Sequence, residues 1–546
     1  MHPTRREAIG ALALAAIPAP SPAAEIDPAV VRRHDDDVAR LLERQVTDPA
    51  SRGYGTQRDD LEMFSPGAAA GLLESYYAAF LCPQSKYHRD AALVERMKLA
   101  ARFLERAQDE HGFVDLATTN FSSPPDTGFT VHPAATAACL AMRQNERELV
   151  ALMEPFLRKA ANGLATGGVH TPNHRWVVCQ ALAQVNEVFP NPAYVRRIDQ
   201  WLTEGIDLDA DGQFTERSTS VYNAVSDRAF LVMALKLKRP ELLEPVRRNL
   251  NAMLYLLHPG LEVVTEISRR QDRNQRATMS SYWLPLRYLA VRDADGRLAT
   301  LAEHYSEASR LSAFLEYPEM SGPMAALSPL PEDFERELNT LGAARFRRGS
   351  ISATLLEGDS VFFTLRRGNA VVNAVRFASA FFGKGQFVPS KLQKEGSAYV
   401  LRQELEAPYY QPLPRRVAAD QWDQVRGQRQ RSEVCRLRQS ASITEIPGGF
   451  RLRLEAQGTP HVPVAVEVSL RSGDTPSGCV PAPGNPEGML LPSGYATYTV
   501  GPDQVKFGPG RGEHRYTQVR GAEPKLPGIS VYLTGFTPFD HVLEFQ

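Results

Sequence analysis

Residues 169–178, VHTPNHRWVV, set an amide, an imidazole and a guanidinium side by side at Asn173, His174 and Arg175, just before an apolar run. A second polar cluster lies in DGQFTERSTSVYN, where Glu216, Arg217 and Tyr222 precede another apolar run. These side-chain types suit proton abstraction next to a carboxylate followed by β-elimination. In a uronic acid the hydrogen on C5 is poorly acidic because the neighbouring carboxylate is already negative, so donors such as Asn173 or a guanidinium must neutralise that charge. A base then takes the proton, and an acid protonates the departing glycosidic oxygen. Histidine titrates in the right range for the first task. A tyrosine acts as a base only beside positive charge, which Arg217 would supply. Each residue taken alone also has an ordinary reading, Asn173 as a helix N-cap with His174 a satisfied neighbour, and Tyr222 as a core phenol.

Further polar groups join them as substrate-binding candidates. TEISRRQDRNQR packs Arg269, Arg270, Arg273 and Arg276 into one short stretch, where guanidinium forks fit a carboxylate clamp or, equally, a solvated surface. TTNFSSPPDTGF reads as a double-proline loop between helices whose Asn120 and Asp126 would rim a sugar site. FFGKGQF offers Lys384 and Gln386, and YYQPL offers Tyr409 for stacking on a sugar face. Asp207, Asp209 and Asp211 before Gly212 open like a calcium loop, but the twelfth position is Ser218, where a bidentate Glu is required. Acidic turn residues are the alternative. No metal ligand is assigned: the elimination needs no cofactor, and a structural calcium or zinc ion is admitted only without a firm ligand set.

Two kinds of element must position these groups. From about residue 30 to 340 apolar residues recur at three- and four-residue steps, as in DAALVERMKLAARFLERAQ (90–108), ERELVALMEPFLRKAANGL (146–164) and RWVVCQALAQVNEVF (175–189). Short Gly/Pro/Asn loops join them, so successive helices should run antiparallel. Such a series closes most simply as an incomplete α/α toroid. Alternate helices of a toroid line its inner wall, which predicts that the helix starts carrying His174 and Tyr222 face one cavity. After about residue 340 the period becomes two, in stretches such as VPVAVEVSLRS and GISVYLTGF, and the reading is an antiparallel β-sandwich. The expected class is therefore multidomain α + β: residues 1–24 a signal segment, 25–335 the catalytic toroid, 340–546 the sandwich.

The signal assignment rests on TRREAIGALALAAIPAPSPAAE, with twin arginines at Arg5 and Arg6, a short apolar core and small residues at its end. It predicts export, to the periplasm. No later stretch reaches the roughly twenty apolar residues of a membrane span. With 62 basic against 63 acidic residues the chain has no global field for a polyanion, and it carries no nucleic-acid reader motif. Its five cysteines are scattered and form no C-x-x-C pair, so they specify neither a zinc site nor a disulfide framework. Oligomeric state is not written in the sequence.

Asn173-His174 in its Pro-Asn-His-Arg-Trp context, followed by D-G-x-F-x-E-R-S-x-x-x-Y ending at Tyr222, resembles the heparinase II/III-like group of polysaccharide lyases. The resemblance implies a toroid followed by a β-sandwich, an Asn that neutralises the uronate, a His that is base or neutraliser, and a Tyr that is acid and often base, here Asn173, His174 and Tyr222. The group's further histidine from the β half has no counterpart in a matching motif among His461, His514 and His541. Within the group, ATTNFSSPPDTGF, DGQFTERSTSVYN and FFGKGQF are most similar to lyases that remove rhamnose from glucuronic acid on arabinogalactan-type glycans. The partner so implied is a uronate-containing polysaccharide or oligosaccharide. Two rivals stand beside this reading: a toroid glycoside hydrolase using paired carboxylates from Asp126, Asp211 and Glu216, and a non-catalytic glycan-binding protein.

Overall fold

The computed structural model describes residues 26–471, 473 and 475–546, so the expected signal segment lies outside the described residues. The chain divides into two compact units. The helical unit comprises the described chain up to Ile206 together with Val225–Val246 and Ser280–Pro329; the β unit comprises Asp207–Ala224, Arg247–Met279 and Leu330–Gln546. Two segments that precede the change of period therefore cluster with the strands, and one of them carries Tyr222.

Up to residue 316 the α-helices are α1 Pro28–Arg44, α2 Pro66–Leu81, α3 Ala91–Ala107, α4 Pro124–Arg143, α5 Arg147–Leu164, α6 Pro172–Val188, α7 Pro192–Thr203, α8 Tyr222–Lys236, α9 Leu243–Met253, α10 Trp283–Arg292, α11 Gly296–His304 and α12 Leu311–Glu316. Their composition sorts them into layers. In α2 Leu72, Leu73, Tyr76, Tyr77 and Leu81 are buried, and α4 likewise buries Val131, Ala134, Ala138 and Cys139. Helices apolar all round belong in the interior. By contrast α5 confines Leu149, Met153, Phe156, Leu157 and Ala160 to one stripe. Accordingly α2, α4 and α6 pack in series, while α3, α5 and α7 each lie outside the even-numbered helix before or after them. This is the double ring of an α/α toroid. Prolines at the first turn of α2, α6 and α7 start these helices where no intrahelical N–H is needed.

The same device corrects one expectation. TTNFSSPPDTGF is not a loop: Asn120–Ser123 forms a strand paired with Val114–Leu116, and Pro124-Pro125 opens α4 with Ser123 as its N-cap. A double proline reads as a breaker in the sequence, but at the first two helical positions it is compatible with the fold.

In the β unit a nine-stranded sheet runs, edge to edge, Val480–Pro481, Gly488–Leu490, Ser530–Phe536, Pro463–Leu470, Ala370–Ser379, Phe363–Arg367, Ile351–Leu356, Ala343–Arg348 and Asp333–Leu338. A seven-stranded sheet contains the long strands Ala398–Tyr410, Arg431–Ile446 and Gly449–Gly458. Among the described strands pairing is antiparallel except where Gly488–Leu490 meets Ser530–Phe536, whose Thr534 also makes an isolated parallel bridge to Gly512. Phe346, Phe363, Val375 and Val466 of the first sheet share one core with Leu437, Phe450, Leu452 and Phe545 of the second. Side chains alternating along both sheets thus fill the space between them. The architecture is an incomplete α/α toroid followed by an antiparallel β-sandwich. Among the described residues no helix is long and apolar enough to cross a membrane.

One buried group on α8 sets a pH dependence. Asp227 is fully buried, and neither carboxylate oxygen has a hydrogen-bond partner. Burial alone pushes its carboxyl well above the usual range. Its folded pKa is therefore raised, the folded chain holds a proton that the unfolded chain releases above about pH 4, and stability is lost as pH rises from there through the folded value. Asp227→Asn keeps the shape without the charge. Melting temperatures of the two proteins should converge near pH 4, with the variant a few degrees higher at neutral pH; parallel curves across that range would refute the assignment.

Candidate active site

In the helical unit Pro172 is the first residue of α6 and Thr171 its N-cap, so Asn173 lies one position inside the helix and is not the cap. Asn173 is 2% exposed and His174 is 9% exposed. The Asn173 amide donates to the Thr171 hydroxyl at 3.4 Å. His174 meets the His170 ring edge-on at 4.7 Å between centroids and Phe129 at 6.2 Å. His170 is exposed, which leaves the pair with one ring in solvent and one in the wall. Sequence spacing alone did not single out His170. Arg175 has a bracing position: its guanidinium donates to Glu204 at 3.0 Å and to the carbonyls of Pro172 and Gly205, and it stacks 4.5 Å from the Trp176 ring. Asn120 and Asp126 pair with each other at 2.9 Å beside the Ser123 cap of α4.

The β unit assembles the second cluster. Tyr222 begins α8, its backbone N–H bonded to the Ser218 hydroxyl at 3.1 Å. The Gln271 side-chain amide donates to the Tyr222 hydroxyl at 2.9 Å. Arg270 places its guanidinium 5.2 Å from the centre of the Tyr222 ring and 3.5 Å from the Glu216 carboxylate. The guanidinium over the ring face is a cation–π contact. The positive charge beside the phenol thus comes from Arg270. Arg217, expected in that place, has a left-handed φ of 48° and turns its guanidinium to the carbonyls of Thr340 at 2.5 Å and Leu341 at 3.3 Å. Asp211 accepts from the N–H groups of the same two residues at 2.7 and 3.0 Å. The pair clamps one turn from both polarities.

Asp272, absent from the sequence-level candidates, is the anchor beneath Tyr222. It is 3% exposed and accepts from the hydroxyls of Ser218, Ser220 and Ser268 at 3.0 to 3.1 Å and from the Ser220 N–H. The loop bearing Arg270 and Gln271 is thereby tied to the turn that starts α8. Arg269 is exposed and bonds Arg217 through its backbone, and Arg273 is paired with Asp359. Asp207 and Asp209 are engaged within the loop itself: Asp209 accepts from the Gln213 N–H at 2.9 Å and Asp207 from the Thr215 hydroxyl at 2.8 Å.

A buried histidine lies in the same unit. His258 is fully buried, with Nε2 3.2 Å from Glu266 and Nδ1 2.9 Å from the Ser352 hydroxyl. A carboxylate accepts only, so Nε2 carries the proton and Nδ1 accepts from Ser352, whose oxygen in turn accepts from Arg345 at 3.0 Å. Glu266 also accepts from Thr354 and Thr364 at 2.8 and 3.1 Å. Burial, with Arg366 beside it, depresses His258 to about 3. The folded pKa lies below the unfolded value near 6.5, so this contribution to stability is complete above that value and lost as pH falls toward 3. His258→Gln should therefore flatten the acid limb of a plot of melting temperature against pH; an unchanged limb would contradict a neutral His258.

Of the remaining candidates, Lys384 reaches the Glu406 carbonyl and Tyr409 is 57% exposed, edge-on to Phe382 at 5.6 Å. Gln386 is buried, bonding the Phe377 carbonyl and the Glu523 N–H, so it ties strands together and does not project. Among the described residues one trio of ligand-type groups converges, Cys139, Glu187 and Glu316 in the helical unit, and the Lys236 ammonium contacts both carboxylates.

No protein-family model matches the chain, and no curated protein matches it by sequence. Solved structures do match its fold. The chondroitin AC lyase of Streptomyces coelicolor A3, in complex with chondroitin sulphate, aligns with a TM-score of 0.57 at 13% identity over 97% of this chain and 80% of that one. A mutant heparan sulfate lyase from Pedobacter heparinus gives 0.50 at 13% over 97% and 84%. A Paenibacillus xanthan lyase gives 0.53 at 10% over 95% of this chain and 57% of its own length. At such identity the likeness is one of fold, a toroid and β-sandwich shared with polysaccharide lyases.

Proposed function

We propose that the protein is a polysaccharide lyase that cleaves the glycosidic bond at C4 of a uronic acid by β-elimination. The observation that carries the reading is the Tyr222 cluster: a phenol hydrogen-bonded by Gln271, with the Arg270 guanidinium against its ring and Glu216 holding that guanidinium. A side chain so placed can take or give a proton while its charge is offset. The fold shared with lyases supports it. In this scheme Asn173 and His174 neutralise the uronate carboxylate, the C5 proton leaves to His174 or Tyr222, the C4–O bond breaks as a C4–C5 double bond forms, and Tyr222 protonates the departing oxygen. No cofactor enters these steps. The narrower substrate we assign is a rhamnosyl-glucuronate end of an arabinogalactan-type glycan, from which rhamnose would be released, and the twin-arginine segment assigns the enzyme to the periplasm.

The hydrolase reading finds less support, because its candidate carboxylates are held by structural partners: Asp126 by Asn120 and Ser123, Asp211 by a backbone turn, Glu216 by Arg270. Incubating the purified protein with arabinogalactan, alginate, heparan and pectin tests the proposal. A rising ultraviolet absorbance from a conjugated unsaturated uronate is expected, with free rhamnose from arabinogalactan. Sugar release without that absorbance would overturn the elimination.

A further inference from the structure

The loop that presents Gln271 to Tyr222 continues into a second feature of the β unit, a cavity of about 610 Å³ that does not include Tyr222. Its volume lies within the usual range for small-ligand sites. Three arginines converge there on one carboxylate: Arg366 is 2.7 Å and Arg471 2.8 Å from Glu262, and Arg276 is 3.6 Å from it. Glu266, the acidic residue of the lining itself, has Arg366 and the fully buried Arg345 within electrostatic reach. Three guanidiniums of the lining, Arg276, Arg366 and Arg471, thus stand against Glu262 and Glu266, a local surplus of positive charge in a chain of net charge −1. The surplus is graded: Arg366 and Arg471 are 7% and 20% exposed in their side chains, whereas Arg276 is 79% exposed. One guanidinium at the cavity therefore stands largely in solvent while the others are fixed within the wall.

The rest of the lining is equally specific in kind. Asn373 and Gln275 contribute neutral donors and acceptors, and Asn373 is oriented by the Arg471 guanidinium at 3.4 Å. Leu526 and Pro527 supply an apolar wall. A sugar ring presents hydroxyls at its rim and C–H groups on its face, and a uronate adds one carboxylate suited to a guanidinium fork. A bare inorganic anion would leave the amides and the apolar wall without a role. We infer that this cavity is a binding pocket for an acidic sugar, its carboxylate held by Arg276 and Arg471 and its ring lying against Leu526 and Pro527. The pocket is separate from the Tyr222 cluster, so it serves retention of an acidic glycan and not the bond-breaking step; the inference does not rest on lyase activity.

Calorimetric titration of the whole protein tests it, with methyl glucuronide, methyl glucoside and inorganic sulfate as separate titrants. The glucuronide should bind at least about tenfold more tightly than the glucoside, and R276Q should weaken that binding about tenfold, the loss of one charge-assisted contact. Arg276 is exposed, so R276Q should fold normally. Y222F should bind the glucuronide through this pocket as the wild type does. Equal affinity for the glucoside, equal affinity for sulfate, an unaffected R276Q, or a binding event lost in Y222F and kept in R276Q would each overturn the assignment. Because the readout is binding, absence of turnover on every glycan would refute the lyase reading and leave this one standing.

Discussion

Tyr222→Phe is expected to lower elimination by about 10³-fold, within the range found for a positioned acid–base group, while the protein keeps its melting temperature. The hydroxyl makes its bond to Gln271, at the start of α8, and the ring stays against Arg270 whether or not oxygen is present. The fall should lie in kcat with KM nearly unchanged, because the proton moves only in the transition state. Gln271→Ala should reduce turnover about tenfold by releasing the phenol's orientation. Arg270→Gln should also reduce turnover, by removing the guanidinium packed against the ring. Full activity in Tyr222→Phe would remove the phenol from the chemistry and leave the cluster a structural device.

What could be read in the sequence was local, and what could not was made by distant segments. The change of period from 3.6 to two near residue 340 marks the passage from helices to strands, because burial on one stripe or on alternate positions is written in consecutive residues. Pro124-Pro125 misled for the same reason: a doubled breaker is read locally, whereas its tolerance at α4 depends on Ser123 capping the helix. In the site, Tyr222 stands in a motif, but which arginine serves it does not. Arg217 is closer in sequence, yet its left-handed backbone sends it to Thr340 and Leu341, and Arg270 arrives from a loop folded back by Asp272. His258 was passed over because its partners, Ser352 and Glu266, come from a strand far along the chain and from an intervening loop. A satisfied buried network leaves no spacing signature.

Lys236→Met is expected to destabilise the protein by about 3–5 kcal/mol, the cost of leaving a buried carboxylate without its partner. Lys236 lies at the end of α8 with a side chain 1% exposed, 2.7 Å from Glu316, itself 3% exposed, and in contact with the less buried Glu187. Its ammonium also faces the Tyr317 ring at 5.4 Å. Burial pushes Glu316 up despite the ammonium, whereas at Glu187 burial is outweighed by Lys236, which holds that carboxyl down. For Lys236 burial is likewise outweighed, by Glu316 foremost, so the ammonium stays charged. The stable arrangement is one ammonium shared by two carboxylates, of which Glu316 takes up a proton first as pH falls. Methionine fills the volume of the lysine stem but supplies no charge, so thermal unfolding should report a drop of about ten degrees. Adding Glu316→Gln removes the stranded charge and should restore a large part of the loss. A double variant as unstable as the single one would show that packing around the lysine stem, and not the ion pair, sets the stability of this part of the helical unit.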